Sequence, residues 1–215
     1  MSALIFDLDG VLVDSNALHV LAWERYLARH GRSLPPCPGS VIFGRHNEEI
    51  VRAFFGDHLD ADRIAAHGAA KEALYRELMR PVLRDRLVPG VMAFLERWRT
   101  LPMAVASNAE RANVDFVLDG AGLRRYFRVA LDGCQVRRPK PHPEVYLEAA
   151  RRLGVDPAGC IAFEDSPSGV AAARAAGAQV VGVCTTYEEL PGVALAVRDF
   201  CDPKLEPWLR SRVAG

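Results

Sequence analysis

Short apolar runs alternate with longer amphipathic stretches along most of the chain, and this alternation restricts the fold more than any other feature of the sequence. Ala3 to Phe6, Met103 to Ala106, Val129 to Leu131, Ile161 to Phe163 and Val180 to Val183 are apolar and short. Such runs read as strands buried on both faces. Val193 to Val197 is a sixth, weaker run. Between most of them, Val91 to Arg99, Arg111 to Leu118, Pro143 to Leu153 and Ser168 to Ala176 read as helices. Strand and helix in alternation predict an α/β fold with a parallel, doubly wound sheet.

One stretch breaks the pattern. From about Ser15 to about Arg86 no strand is predicted, only helical patterns over Ala17 to Arg29, Asn47 to Phe55 and Ala61 to Met79. Pro81 and the Pro89-Gly90 pair mark the return to the core. The stretch reads as a helical subdomain inserted after the first strand. Ligands of an open parallel sheet bind beyond the carboxyl ends of its strands, so this insertion is expected to act as a lid over the site.

Composition narrows the partner. Lys+Arg and Asp+Glu balance at 27 each in 215 residues, so no net field points to nucleic acid or to an anionic membrane surface. No apolar run approaches the ~20 residues that span a bilayer, and residues 1 to 6 are too short for a signal peptide. A cytoplasmic protein with a small-molecule partner is expected. Cys37, Cys134, Cys160, Cys184 and Cys201 are odd in number and lack a CxxC pair. They are read as reduced, mostly buried thiols. His30, His58 and His67 are read as solvated.

Four polar clusters each follow a predicted strand. Asp7 and Asp9, in LIFDLDGVLVDS, leave the first strand two positions apart and precede Gly10, which lets the backbone turn sharply. Alone they fit an ordinary Asp-rich turn as well as a catalytic pair. Ser107-Asn108 follows the second strand and fits either a helix N-cap or an anion cradle for phosphate. Lys140 is flanked by Pro139, Pro141 and Pro143, which restrict the backbone around a cation. Glu164-Asp165-Ser166, followed by Ser168 and Gly169, fits a capped helix start or, together with Asp7, an oxygen site for a hard cation such as Mg2+.

In this order, DLDGVLVDS, SN, PKP and FEDSPSG resemble the haloacid dehalogenase (HAD) superfamily. The resemblance is to the helical-cap branch, which includes beta-phosphoglucomutase and many sugar-phosphate phosphatases. It implies a Rossmann-like parallel sheet core over residues 1–14 and 87–215, with an inserted four-helix-type α-helical cap over 15–86. It also implies roles. Asp7 would be the nucleophile that forms an aspartyl-phosphate, and Asp9 the general acid and base. Ser107, with Asn108 nearby, would hold the phosphoryl oxygens. Lys140 would bridge Asp7 and phosphate. Magnesium would lie between Asp7, the backbone carbonyl of Asp9 and Asp165, with Glu164 an outer or occasional direct ligand. Asp9 must be protonated in the first step, and its pKa is expected to rise when substrate binds, through closure of the cap over it. A dehalogenase proper needs no metal and lacks the second aspartate, so Asp9 counts against that activity.

On the cap, His19 and Trp23 share one helix face and match a His and Trp of the mutase-like branch, with packing as the plainer reading. Lys71 and Tyr75 resemble a cap lysine and tyrosine of the same branch. The chain departs from the mutase where the resemblance would put a phosphate-gripping arginine: Asn47 stands there, and Arg45 lies two places earlier. Glu110 likewise replaces a lysine. Both departures favour hydrolysis. The expected function is a magnesium-dependent phosphatase acting on a small phosphorylated metabolite, a sugar or sugar-acid phosphate, as a monomer or weak homo-oligomer. A hexose-phosphate mutase and a noncatalytic phospholigand-binding protein are the alternatives.

Overall fold

The computed structural model of the chain describes residues 2–213. Six strands form one parallel sheet: β1 (Ala3–Phe6), β2 (Met103–Ala106), β3 (Val129–Leu131), β4 (Cys160–Glu164), β5 (Gln179–Val183) and β6 (Leu195–Val197). Their order is β3-β2-β1-β4-β5-β6. The chain winds from β1 outward through β2 and β3, then crosses back to β4 on the other side. The carboxyl ends of β1, β2 and β4 therefore meet at the point where the winding reverses, the place where such sheets open a crevice. The sixth strand is shorter than the apolar run suggests: it begins at Leu195, after Gly192 turns with φ 86°.

Alternation along β1 sorts the two faces of the sheet. Leu4 and Phe6 point to one side and Ala3 and Ile5 to the other, and all four are buried. The first side is aromatic. Phe6 stacks on Phe163 with ring centroids 4.7 Å apart, and Phe94, Phe127 and Phe200 pack around them. Helices α5 (Val91–Trp98), α6 (Arg111–Gly120) and α9 (Leu205–Val213) cover that side. On the other side the sheet presents Ala3, Ala104, Ala106 and Ala162 to α7 (Glu144–Leu153) and α8 (Pro167–Ala175). These helices answer with Ala149, Ala150, Ala172 and Ala173, small residues that let helix and sheet approach closely.

Between β1 and α5 the chain forms only helices: α1 (Asn16–Ala28), the single turn α2 (Gly39–Ile42), α3 (Asn47–Phe55) and α4 (Ala61–Met79). They make a helical cap. Trp23, Leu27, Val51, Tyr75 and Met79 are buried within it. The two connections to the sheet run side by side: Asp14 N–H donates to Arg86 O (2.7 Å) and Val88 N–H to Leu12 O (3.1 Å).

Two readings of the sequence are corrected here. Only Cys160 is buried; Cys184 is half-buried and Cys37, Cys134 and Cys201 are exposed, because they sit in loops and turns. His67 is half-buried rather than solvated: its ring stacks on Phe55 and its Nδ1 pairs with the Tyr26 hydroxyl at 2.8 Å.

Candidate active site

The crevice at the sheet's carboxyl edge is closed above by the cap, leaving a cavity of about 80 Å³. Asp7, Asp9, Ser107, Lys140 and Asp165 line it from the core. His19, Arg45, Asn47 and Lys71 line it from the cap. The strand-end clusters of the sequence therefore converge on one space, as the winding requires.

Lys140 is the hub. The residue is 4% exposed, and its ammonium lies 2.9 Å from Asp7 Oδ1 and 2.6 Å from Glu164 Oε1. Burial by itself would lower the lysine's pKa; Asp7 and Glu164 outweigh it and raise it, so the ammonium stays charged. Its backbone is pinned by Asn108, whose Oδ1 accepts from Lys140 N–H (3.0 Å) and whose Nδ2 donates to Lys140 O (3.4 Å). This adds a bracing role to the one expected of Asn108. One amide N–H and the amide oxygen are engaged by the lysine backbone, so Asn108 braces the cation, while its second N–H stays available to the cavity that it lines. Ser107 Oγ accepts from Ala109 N–H (3.0 Å), and its hydroxyl proton remains available to the cavity. The helix after this loop begins at Arg111, where the sequence pattern puts it, with no side-chain cap bond among the described residues.

The acidic pair does not cap its helix. Ser166 performs that task by accepting from Gly169 N–H (3.2 Å), which leaves Asp165 to line the cavity and Glu164 buried against Lys140. Carboxylate oxygens of Asp7, Glu164 and Asp165 lie within 4.8 Å of one another, all three residues buried. Burial pushes the Asp7 carboxyl up to about 7, with Lys140 opposing and Glu164 and Asp9 adding to the rise. Burial and repulsion from Asp7 and Glu164 hold Asp165 well above its usual range. With all three carboxylates ionised, one lysine would leave an excess of negative charge, and Glu164 Oε2 has no hydrogen-bond partner among the described residues. A hard divalent cation fits that donor set. Glu164 Oε1 is engaged by Lys140 and by the Tyr146 hydroxyl.

Gly169 keeps this arrangement intact, since a Cβ there would overlap the Glu164 carboxylate. Gly169→Ala is expected to destabilise the protein by about 2 kcal/mol through overpacking. A helical Gly→Ala change otherwise gains up to about 1 kcal/mol, so denaturant melting that shows a gain would contradict this packing.

Asp9 belongs to a second network that descends from the cap. Ser15 Oγ donates to Asp9 Oδ1 (2.5 Å) and His19 Nε2 lies 3.3 Å from the same oxygen. His19 Nδ1 is 3.3 Å from Lys71 Nζ, and the His19 ring stacks on Tyr75 at 3.8 Å. Burial favours the neutral carboxyl, but the charge and hydrogen bond of His19 and the Ser15 hydroxyl outweigh it and hold Asp9 below its usual range. Closure of the cap alone therefore lowers the Asp9 pKa, because the cap brings a histidine to that carboxylate, and the rise expected on substrate binding has to come from the substrate.

Trp23 does not reach the cavity. It is fully buried, with Lys71 Nζ 5.0 Å from its ring centroid, and packs the cap from within. The sequence reading missed Thr185 and Thr186, which follow β5 just as the other clusters follow their strands. Thr185 Oγ1 donates to Gly10 O (2.5 Å), and Thr186 Oγ1 bonds Asp165. Ser15, Tyr146, Glu72 and Asn113 were also missed.

With this geometry established, comparisons place the chain. Residues 1–177 match the family model described as haloacid dehalogenase-like hydrolase. Fructose-1-phosphate phosphatase YqaB of Escherichia coli is 33% identical over 184 residues, covering 85% of this chain and 96% of that protein. Protein CbbY of Rhodobacter capsulatus is 34% identical over 221 residues, covering 95% and 94%. The crystal structure of beta-phosphoglucomutase from Clostridium difficile superposes with a TM-score of 0.88 over 100% of this chain and 97% of that one, at 24% identity, a likeness of fold. The chain belongs to the haloacid dehalogenase-like hydrolases.

Proposed function

We propose that the chain is a magnesium-dependent phosphatase that hydrolyses a small phosphorylated metabolite, a sugar or sugar-acid phosphate, through a phosphoryl group carried on Asp7. The observation that supports this most is the Asp7 carboxylate held against Lys140 at the cavity floor, with Asp9 two residues on. The name of the E. coli relative, a sugar-phosphate phosphatase, supports the substrate class. The catalytic core is taken as residues 1–14 and 87–215 and the cap as 15–86, working as a monomer or weak homo-oligomer. Five unpaired cysteines fit a reducing cytoplasm, and no helix among the described residues is long and apolar enough to cross a membrane.

In the first step an Asp7 oxygen attacks phosphorus as the ester oxygen leaves, and Asp9 gives that oxygen its proton. In the second step Asp9 takes a proton from water, which attacks phosphorus and frees Asp7. Ser107 donates to a phosphoryl oxygen and Lys140 neutralises charge on phosphate and nucleophile alike. Magnesium held by Asp7, Asp165 and the Asp9 carbonyl, with Glu164 behind, would supply further positive charge to the phosphoryl oxygens. His19, Arg45, Asn47 and Lys71 face the leaving group.

Purified protein is expected to release phosphate from at least one sugar phosphate in a panel, and to stop when the metal is chelated; release that is indifferent to chelation would sink the metal claim. A second test follows from the carboxyls. The raised Asp7 and Asp165 values mean that metal-free protein loses stability as pH rises through about 7. A cation needs the ionised forms, so its binding releases protons and tightens over the same range. Saturating magnesium is therefore expected to raise Tm more at about pH 8 than at about pH 5.5. Equal gains would contradict a carboxylate site.

A further inference from the structure

Cap and core meet in a buried seam beside the cavity. On the cap, α4 carries Lys71, Glu72 and Arg76; on the core, α6 carries Asn113 and is preceded by Glu110. Lys71, Glu72 and Asn113 are 1%, 4% and 1% exposed. Asn113 Nδ2 donates to Glu72 Oε2 (2.7 Å), and Asn113 Oδ1 accepts from Arg76 Nη1 (2.6 Å). Arg76 is also paired with Glu110, and Glu72 with Lys71. Burial would raise the Glu72 carboxyl, but Lys71 and His19 outweigh it and hold it down at about 2, so it stays ionised. From Lys71 the line continues through His19 to Asp9.

The cap is fastened on the other side of β1 as well. Ser168 Oγ, at the start of α8, donates to Gly44 O (2.9 Å) next to Arg45. Because β2 leads to α6, β4 leads to α8, and both strands flank β1, contacts of the chain's own making hold the cap on both sides of Asp7.

Where the distal end of a substrate drives closure, its binding energy is used to bring the lid down, and cations must be left free to receive it. Arg76 and Lys71, the cations of the seam, are not free. A second phosphate entering the seam would have to displace a carboxylate, leaving a buried charge without its partner. We propose that Glu72, Arg76, Glu110 and Asn113 form a clasp that shuts the cap without help from the substrate's distal end, and that the seam thereby selects substrates with no second anionic group there. The four are positioning residues. The substrate half of the inference rests on the phosphatase reading above.

The test uses the full chain. Amide hydrogen exchange across α6 and α4 is expected to speed up about tenfold or more in R76E and in E110R, and to return to within about threefold of wild type in the charge-swapped R76E/E110R. For selectivity, calorimetry in an Asp7→Asn background, where nothing is turned over, compares fructose 1,6-bisphosphate with fructose 1-phosphate. Adding E110Q frees Arg76 and is expected to shift the affinity ratio about tenfold toward the bisphosphate. Wild-type exchange in both single variants, or a swap no better protected than they are, overturns the clasp. An unchanged affinity ratio overturns the selectivity. Absence of phosphate release by wild type would strike the phosphatase reading alone, since neither readout depends on turnover.

Discussion

Asp7→Asn is expected to abolish phosphate release, lowering kcat by a factor on the order of 10⁵ or more, as loss of a nucleophile does in other covalent catalysts. The amide keeps the volume of the side chain and an oxygen for Lys140, so the fold has no reason to fail. It also removes a buried carboxylate whose ionisation burial opposes. Metal-free Asp7→Asn is therefore expected to melt no lower than wild type at about pH 8. Activity lost together with a large fall in Tm would mean that the carboxylate serves the fold; activity retained would remove Asp7 from the chemistry.

Asp9→Asn is expected to lower kcat by about 10²–10⁴, the range for a positioned proton donor and acceptor. The leaving group makes this prediction specific. Departure of p-nitrophenolate needs no proton, whereas departure of a sugar alkoxide does. Loss in kcat/KM should accordingly be smaller for p-nitrophenyl phosphate than for a sugar phosphate. Equal losses for both esters would show that Asp9 contributes charge or metal binding instead of a proton. Ser15 and His19 hold Asp9 ionised in the closed cap, so the proton it donates must arrive with the substrate: a phosphate beside Asp9 opposes His19 electrostatically and favours the neutral acid.

The sheet and three of its four clusters are legible in the sequence for one physical reason. Each strand is a continuous apolar run, and three of the clusters, at Asp7, Ser107 and Glu164, begin at the residue after the run stops, so proximity along the chain and proximity in space coincide at the carboxyl edge. Asp7, Ser107 and Asp165 reach the cavity on that logic, whereas Lys140, at the end of a loop that leaves β3 at Leu131, is held there through its backbone by Asn108. Thr186 obeys the same rule after β5 and went unread because a threonine pair carries no charge to draw attention. Its bond to Asp165 shows that the rule extends one strand further.

The cap is less legible. Its helices are amphipathic enough to be placed, but side-chain partners there are set by tertiary packing. Glu72 and Asn113 bond at 2.7 Å although 41 positions separate them, and each reads alone as an ordinary polar residue on a helix. Trp23 shows the opposite case: a helix face shared with His19 suggests a common role, yet one full turn along α1 carries the indole into the cap interior while the imidazole stays at the cavity. Glu110 lies between these extremes. Its charge told against a second phosphate, and Arg76 supplies the partner that explains it.

The central claim is that a phosphoryl group passes through Asp7. Rapid quenching of wild-type enzyme during turnover of the best ester from the panel, followed by reduction with labelled borohydride, converts an acyl phosphate into homoserine at the site of phosphorylation. Peptide mapping is expected to place the label at position 7 in a substrate-dependent manner and to find none in Asp7→Asn. Steady phosphate release with no label at position 7, or label at Asp9, would contradict the account.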